Sequence, residues 1–365
     1  MTRARTWRFG AAGSAVLAVV LARAAAAQGG PDHPDMTLTA AQRTEVIEGA
    51  IKQLNSFYVF PDVARQMEAA VRKRLAGREY DSITSAKALV ESLTVHFRAV
   101  SHDKHLSVMY SAQPLPPFPK DGKPTPEQME RARAFARFFN YGFPKVERLP
   151  GNIGYVRLDG FMPPDMGAEA ATAAMTFVAS TDALIFDLRW NNGGDPAMVA
   201  FISSYLFAEA THLNDIYLRP DSSTRQWWTS AYVPGKKFSG TGKVYVLTSN
   251  HTFSAGEEFT NNLKVLKRAT IVGETTGGGA NPGGPRPIND HFAVWVPSGR
   301  AINPITKGNW EGTGVAPDVP VAVNIALETA YLDALEKLPA AGNPMMASEI
   351  KQAVDSVRKE LEKKR

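Results

Sequence analysis

A chain of 365 residues, 44% hydrophobic and 21% charged, has material for two globular domains and a composition unlike disordered, collagenous or membrane-embedded proteins. Four arginines precede the first acidic residue, Asp32; without them the formal charge falls from +5 to about +1, so the basic balance implies no nucleic-acid partner. No cysteine occurs, which excludes disulfides, a thiol nucleophile and cysteine-ligated zinc.

Arg3, Arg5 and Arg8 lead into an apolar run over residues 10–22, and small residues at 25–27 precede Gln28. This is the pattern of a secretory signal peptide over residues 1–27, with a run too short to span a bilayer comfortably. The expectation is a periplasmic or secreted chain with no integral membrane span after signal removal. Residues 28–110 form a first domain. Within it, Thr37 or Thr39 can cap a helix over 40–57, Pro61 starts a second, and Thr84 or Ser85 opens a third. Val46, Ile47, Ile51 and Leu54, then Val63, Met67, Val71 and Leu75, then Leu89, Leu93, Val95 and Phe97, are read as one buried face each. Three amphipathic helices of this kind make a small bundle.

Ser101-His-Asp-Lys-His105 follows, before a strand-like Leu106–Tyr110. His102 and His105 in a polar turn fit a solvated turn, a catalytic base or, with no further ligand nearby, less readily a metal pair. The Ser101-x-x-Lys104 box lacks the partner motifs that would give it meaning. Residues 111–150 begin proline-rich and pass into an arginine-bearing helix, as a linker or flap would.

From Asn152 strands alternate with helices: strands over 153–158 and 183–188, helices over 166–178 and 196–207. Such βαβ units place ligands beyond the carboxyl ends of the strands. After the second strand, Asp187-Leu-Arg-Trp-Asn-Asn-Gly-Gly194 can turn its backbone amides toward an anion. A third strand, 243–247, runs into Thr248-Ser-Asn-His-Thr-Phe-Ser-Ala-Gly-Glu-Glu-Phe259 and an amphipathic helix. A serine at that junction, Ser254, is either a helix cap, with Glu257 completing a capping box, or a nucleophile beside free helix amides. Residues 151–323 constitute the second domain, and two helices follow within 324–365, the last charged on most faces and so read as an exposed terminal helix or a partner contact rather than core.

The ordered set of Asp187-Leu-Arg-x-Asn-x-Gly-Gly194, Thr248-Ser-x-x-Thr-Phe-Ser-Ala-x-Glu-Glu-Phe259, Thr270-Ile-Val-Gly-Glu-Thr275 and Gly314-Val-Ala-Pro-Asp318 resembles the tail-specific, or C-terminal processing, serine protease family. The resemblance covers residues 152–323, and the helical 35–100 segment with its Asp-x-His-Leu is similar to the family's amino-terminal domain. It implies an α/β, ClpP/crotonase-like core with an N-terminal three-helix domain, needing no metal or cofactor and acting on peptide or unfolded protein. By motif position Ser254 is the nucleophile, with Gly193 or Gly194 and Ala255 supplying oxyanion amides. The branch with a Ser-Lys dyad carries its lysine where this chain has Gly279, so a dyad is excluded. The branch similar to tricorn protease and interphotoreceptor retinoid-binding protein takes its base and acid at positions filled here by His105 and Glu311; its serine before the histidine is Lys104 here.

His251, three residues before Ser254, is a second candidate base, and Lys104 a candidate neighbour of the His-Glu pair. Glu257 and Glu258 suit the helix dipole, Asp187 and Arg189 an ion pair, and the glycine-rich 277–284 loop a flexible rim. Trp227, Trp228 and the 291–296 strand fit either a cleft wall or packing. The reading is an exported serine peptidase; the alternative is a catalytically silent binding module for a hydrophobic ligand or peptide on the same fold.

Overall fold

The computed structural model describes residues 34–116, 124–238, 242–339 and 342–364. The expected signal peptide, and residues 117–123 of the proline-rich stretch, lie outside them. The chain divides into two compact units. One takes the described residues up to Phe135 with Arg219–Asp221 and Pro282–Gly299; the other takes those of Ala136–Leu218, Ser222–Asn281 and Arg300–Arg365.

In the first unit, α1 (Ala40–Phe57) starts at Thr39, whose hydroxyl accepts the Gln42 amide while the Gln42 side chain accepts the Thr39 amide. Pro61 opens α2 (Pro61–Ala76), Ser85 caps α3 (Ala86–Ser101) by accepting the Ala88 amide at 3.0 Å, and α4 (Pro126–Phe138) follows the proline-rich stretch. Of the apolar faces read from the sequence, Val46, Ile47 and Leu54, Met67 and Val71, and Leu89, Leu93 and Phe97 are buried and Val63 and Leu75 partly so, whereas Val95, two positions from Leu93 and so off that face of the helix, is exposed. The buried faces close on one face of a three-stranded antiparallel sheet rather than on one another alone. Its strands are β1 (Ser107–Tyr110), β10 (Phe292–Pro297) and β9 (Gly283–Pro287), with Val108 opposite Val294 and Trp295 opposite Pro285. Phe292, Val294 and Val296 alternate into the helical core as a period of two requires.

The second unit is built on a six-stranded sheet in the order β12-β8-β7-β4-β3-β2. The strands β3 (Ile153–Arg157), β4 (Ala183–Asp187), β7 (Lys243–Thr248), β8 (Thr270–Gly273) and β12 (Val319–Pro320) are parallel, and β2 (Lys145–Leu149) runs antiparallel at one edge. Every residue of β4 is buried, the mark of a strand covered on both faces. Phe186 and Val246 face α5 (Pro164–Val178), α6 (Pro196–Ser203) and α7 (Ala255–Val265), with Met175, Ile202 and Phe259 in the same core. Their neighbours Ile185 and Tyr245 face α8 (Ala326–Glu336) and α9 (Pro344–Lys364). This corrects the reading of the last helix as exposed: Ala353, Val357 and Leu361, spaced four apart on α9, are buried in that core. A small sheet of β11 (Gly299–Ile302), β5 (His212–Leu218) and β6 (Ser223–Trp228) completes the mixed α/β architecture.

Candidate active site

Ser254 sits where β7 turns into α7, with φ 55° and ψ −120°. A non-glycine side chain is rarely held there, and such strain persists only where surrounding contacts determine it. The contacts are present. The Ser249 hydroxyl donates to the Arg189 carbonyl at 2.5 Å, the Thr252 hydroxyl to Leu188 at 2.8 Å, and the Phe253 amide to Asn191 at 2.9 Å. Two short polar side chains and one backbone amide thus staple the turn to the loop after β4. A β-branched strand cannot continue through it, and the chain re-enters a helix whose first free amide belongs to Ala255.

The glycine pair lies against that turn. A β-carbon on Gly193 would stand 2.6 Å from the Ser254 β-carbon, 3.1 Å from its hydroxyl and 3.1 Å from the Ala255 nitrogen; one on Gly194 would strike the Phe161 carbonyl at 2.1 Å. Both glycines hold positive φ, 104° and 143°. Of the two amides expected as oxyanion donors, that of Gly193 is already committed, donating to Asn191 Oδ1 at 2.8 Å. The Gly194 and Ala255 amides meet no acceptor among the described residues. Asn191, fully buried, also donates through Nδ2 to Leu158 at 2.8 Å and so ties the ends of β3 and β4 to the glycine loop. Asp187 and Arg189 form the expected buried ion pair, completed by the Tyr155 hydroxyl and the Val323 carbonyl.

Glu257 stands in the first turn of α7, where a carboxylate complements the helix dipole and caps the turn, but it does more than that. It is fully buried, and its carboxylate accepts from the Ser254 amide at 3.0 Å, the Thr276 hydroxyl at 2.6 Å, and the Gly278 and Gly279 amides at 2.6 and 2.8 Å. Burial raises its pKa and these four donors oppose the rise. Glu311 takes the next two amides on its Oε2, Ala280 at 2.5 Å and Asn281 at 3.0 Å. The stretch expected to be a flexible rim is therefore pinned over 276–281. The position that a dyad lysine would occupy, Gly279, spends its amide on Glu257. The Ser-x-x-Glu spacing revealed one of these bonds; the other donors come from 19 to 22 residues away and leave no local signal.

His105 and Lys104 belong to the first unit. Arg98 donates to the carbonyls on either side of the histidine, Lys104 and Leu106, each at 2.7 Å. The His105 amide donates to Asp103 Oδ1 at 3.0 Å, and Asp103 is buried, its other oxygen accepting from the Tyr58 hydroxyl at 3.3 Å. The half-buried imidazole thus emerges from a fixed turn, while the Lys104 side chain is exposed. His251, three residues before Ser254, is exposed, with its amide on Ser249. Trp228 stacks on His212 with centroids 4.3 Å apart on the small outer sheet.

Residues 152–321 match the model of Peptidase family S41, and residues 36–143 match the N-terminal domain of Peptidase_S41 in eukaryotic IRBP. Among solved structures, one from Parabacteroides merdae ATCC 43184 is similar at 18% identity and TM-score 0.54, over 86% of this chain and 96% of that one. A lipoprotein from Streptococcus agalactiae is similar at 13% identity and TM-score 0.53, over 82% and 98%. The tricorn protease is similar at 14% identity and TM-score 0.51, over 87% of this chain and 37% of that one. At these identities the likeness to the solved structures is one of fold.

Proposed function

The chain belongs to peptidase family S41, whose members are serine peptidases, and on that premise we propose that it is an exported enzyme that hydrolyses peptide bonds through an acyl-enzyme on Ser254. The observation that carries the reading is the Ser254 backbone, turned to φ 55° and ψ −120° against Gly193. That strain has no use in a plain helix cap, and it presents the hydroxyl at the end of a parallel sheet beside unpaired amides.

In this mechanism His105 takes the Ser254 proton as the oxygen attacks the scissile carbonyl carbon, and Glu311 stabilises the imidazolium that forms. The Gly194 and Ala255 amides receive the carbonyl oxygen as it becomes an oxyanion; one such donor contributes about 3 kcal/mol to transition-state stabilisation. Collapse breaks the C–N bond, His105 returns the proton to the departing amine, and water repeats the sequence on the ester. The substrate is an extended or unfolded peptide, because a strand-like backbone presents its carbonyls to such amides in a fixed direction. Export follows from the arginine-led apolar leader; no helix among the described residues is long and apolar enough to cross a membrane.

The test is hydrolysis of casein and of a quenched peptide panel by the chain beginning at Gln28, beside Ser254→Ala and His105→Ala, with a serine-directed phosphonate read by mass. Loss of hydrolysis in both variants, and loss of the label in Ser254→Ala, supports the reading. An inactive, unlabelled wild type overturns it in favour of a binding module.

A further inference from the structure

The six residues from Thr276 to Asn281 form a strap between two carboxylates. Gly278 and Gly279 donate their amides to Glu257, and Ala280 and Asn281 donate theirs to Glu311. Four consecutive amides are thereby divided two and two between acids 54 positions apart in the chain. The carbonyls of the same strap bind the Glu311 segment: Gly278 accepts the Gly312 amide at 3.1 Å, and Gly279 accepts the Trp310 indole at 2.8 Å. Val315 donates its amide to the Thr276 hydroxyl at 2.7 Å, the hydroxyl that itself donates to Glu257. The glycines allow this closeness, since a β-carbon on Gly277 would lie 2.8 Å from the Phe253 ring and one on Gly278 would lie 3.1 Å from Gly312 and Gly314. At its other end the Glu257 carboxylate holds the Ser254 amide.

We propose that Glu257 is a positioning residue that sets Glu311 relative to Ser254, holding the serine by its amide and the acid through the 278–281 strap. The inference rests on the roles assigned above to Ser254 and Glu311. A buried carboxylate is strongly disfavoured unless its lone pairs are filled, so the position of Glu257 is tightly bound to that of its four donors. Any shift of the strap moves both acids together. A glutamine at the site keeps the volume but turns an N–H₂ toward donors, which breaks one side of the clamp.

The experiment is a double-mutant cycle on kcat and KM for a cleaved peptide, using wild type, Glu257→Gln, Glu311→Gln and the double variant, with thermal unfolding measured alongside. The expected result is a fall in kcat of about 100-fold for Glu257→Gln, with KM little changed, since small misplacements at a site cost that much. In the Glu311→Gln background the same substitution costs less than about 3-fold, because the group it positions is already gone. Additive losses overturn the proposal, as does an effect confined to the unfolding temperature or to KM. Should Glu257→Gln fail to fold, Thr276→Val removes one of the four donors and the same cycle with Glu311→Gln decides by the same criterion. A Glu311→Gln variant with wild-type kcat overturns the role of Glu311 itself; a crippled but additive one overturns only the coupling.

Discussion

Gly193 and Ser254 touch so closely that a β-carbon on the glycine would sit 2.6 Å from the β-carbon of the serine. Neither side can give way. Gly193 is held at φ 104° by the Phe161 amide on its carbonyl and by Asn191 on its own amide, while the serine turn is stapled by Ser249 and Thr252. Gly193→Ala therefore displaces Ser254, the proposed nucleophile, or the Gly194 amide. We expect hydrolysis and phosphonate labelling to fall at least about 100-fold, with a stability loss of about 1–3 kcal/mol from the forced conformation. Peptide kinetics and urea unfolding of one preparation check both; an alanine variant that labels at the wild-type rate would remove the contact from the mechanism.

Asn191 supplies a second prediction from the same loop. It has a buried acceptor on Gly193 and a buried donor on Leu158, and replacing it by alanine orphans both. The expected cost is about 1–3 kcal/mol for each unsatisfied group. Asn191→Asp keeps the acceptor for Gly193 and sets a buried carboxyl against the Leu158 carbonyl, so at mildly acid pH, where that carboxyl holds its proton, its loss of activity should be the smaller of the two. Equal losses would mean that the Gly193 bond does not orient the loop.

The proposed base, His105, can be probed without touching it. Arg98 grips the carbonyls of Lys104 and Leu106 on either side of His105 with a planar fork. Lysine offers one point charge and cannot hold both. Arg98→Lys should lower kcat about 10-fold or more and slow phosphonate labelling of Ser254 in proportion. Unchanged labelling would show that the orientation of His105 does not govern the nucleophile.

How much of this was legible in the sequence follows from the range of the interactions. The helices of the first unit could be read because Thr39, Pro61 and Ser85 cap or start them locally and their apolar faces repeat within one element. β4 and β7 were visible as continuous apolar runs. The sheet of the first unit was not, because β10 reaches it from nearly two hundred residues beyond β1, and alternation in Phe292–Pro297 names no partner. The same blindness affected α9, whose charged surface concealed a buried Ala353, Val357 and Leu361 seam. At the site, glycines at 193 and 194 and a serine at a strand-helix junction carried local signals. The commitment of the Gly193 amide to Asn191, and the pinning of the 276–281 strap by Glu257 and Glu311, depend on contacts that only the folded chain makes.

Glu258 yields a prediction about pH. Its side chain is buried on α7, and desolvation pushes its pKa from the ordinary 4.5 up to about 8; the nearby Asn214 side chain opposes the rise and the Asp195 charge adds to it. Because the folded value is the higher one, the folded protein retains a proton that the unfolded chain has released throughout the window from 4.5 to about 8. Stability from this group is complete below that window and is lost as pH rises through it. Asp195, raised to about 6 by its own burial, contributes mainly at the acid end, so between about pH 6.5 and 8.5 the difference between wild type and Glu258→Gln reports on Glu258. Wild type should lose unfolding temperature steadily across that interval. Glu258→Gln, which has no proton to lose, should lose less and become the more stable protein at the alkaline end. Parallel unfolding curves for the two proteins from pH 6.5 to 8.5 would show that Glu258 is not held protonated by the fold.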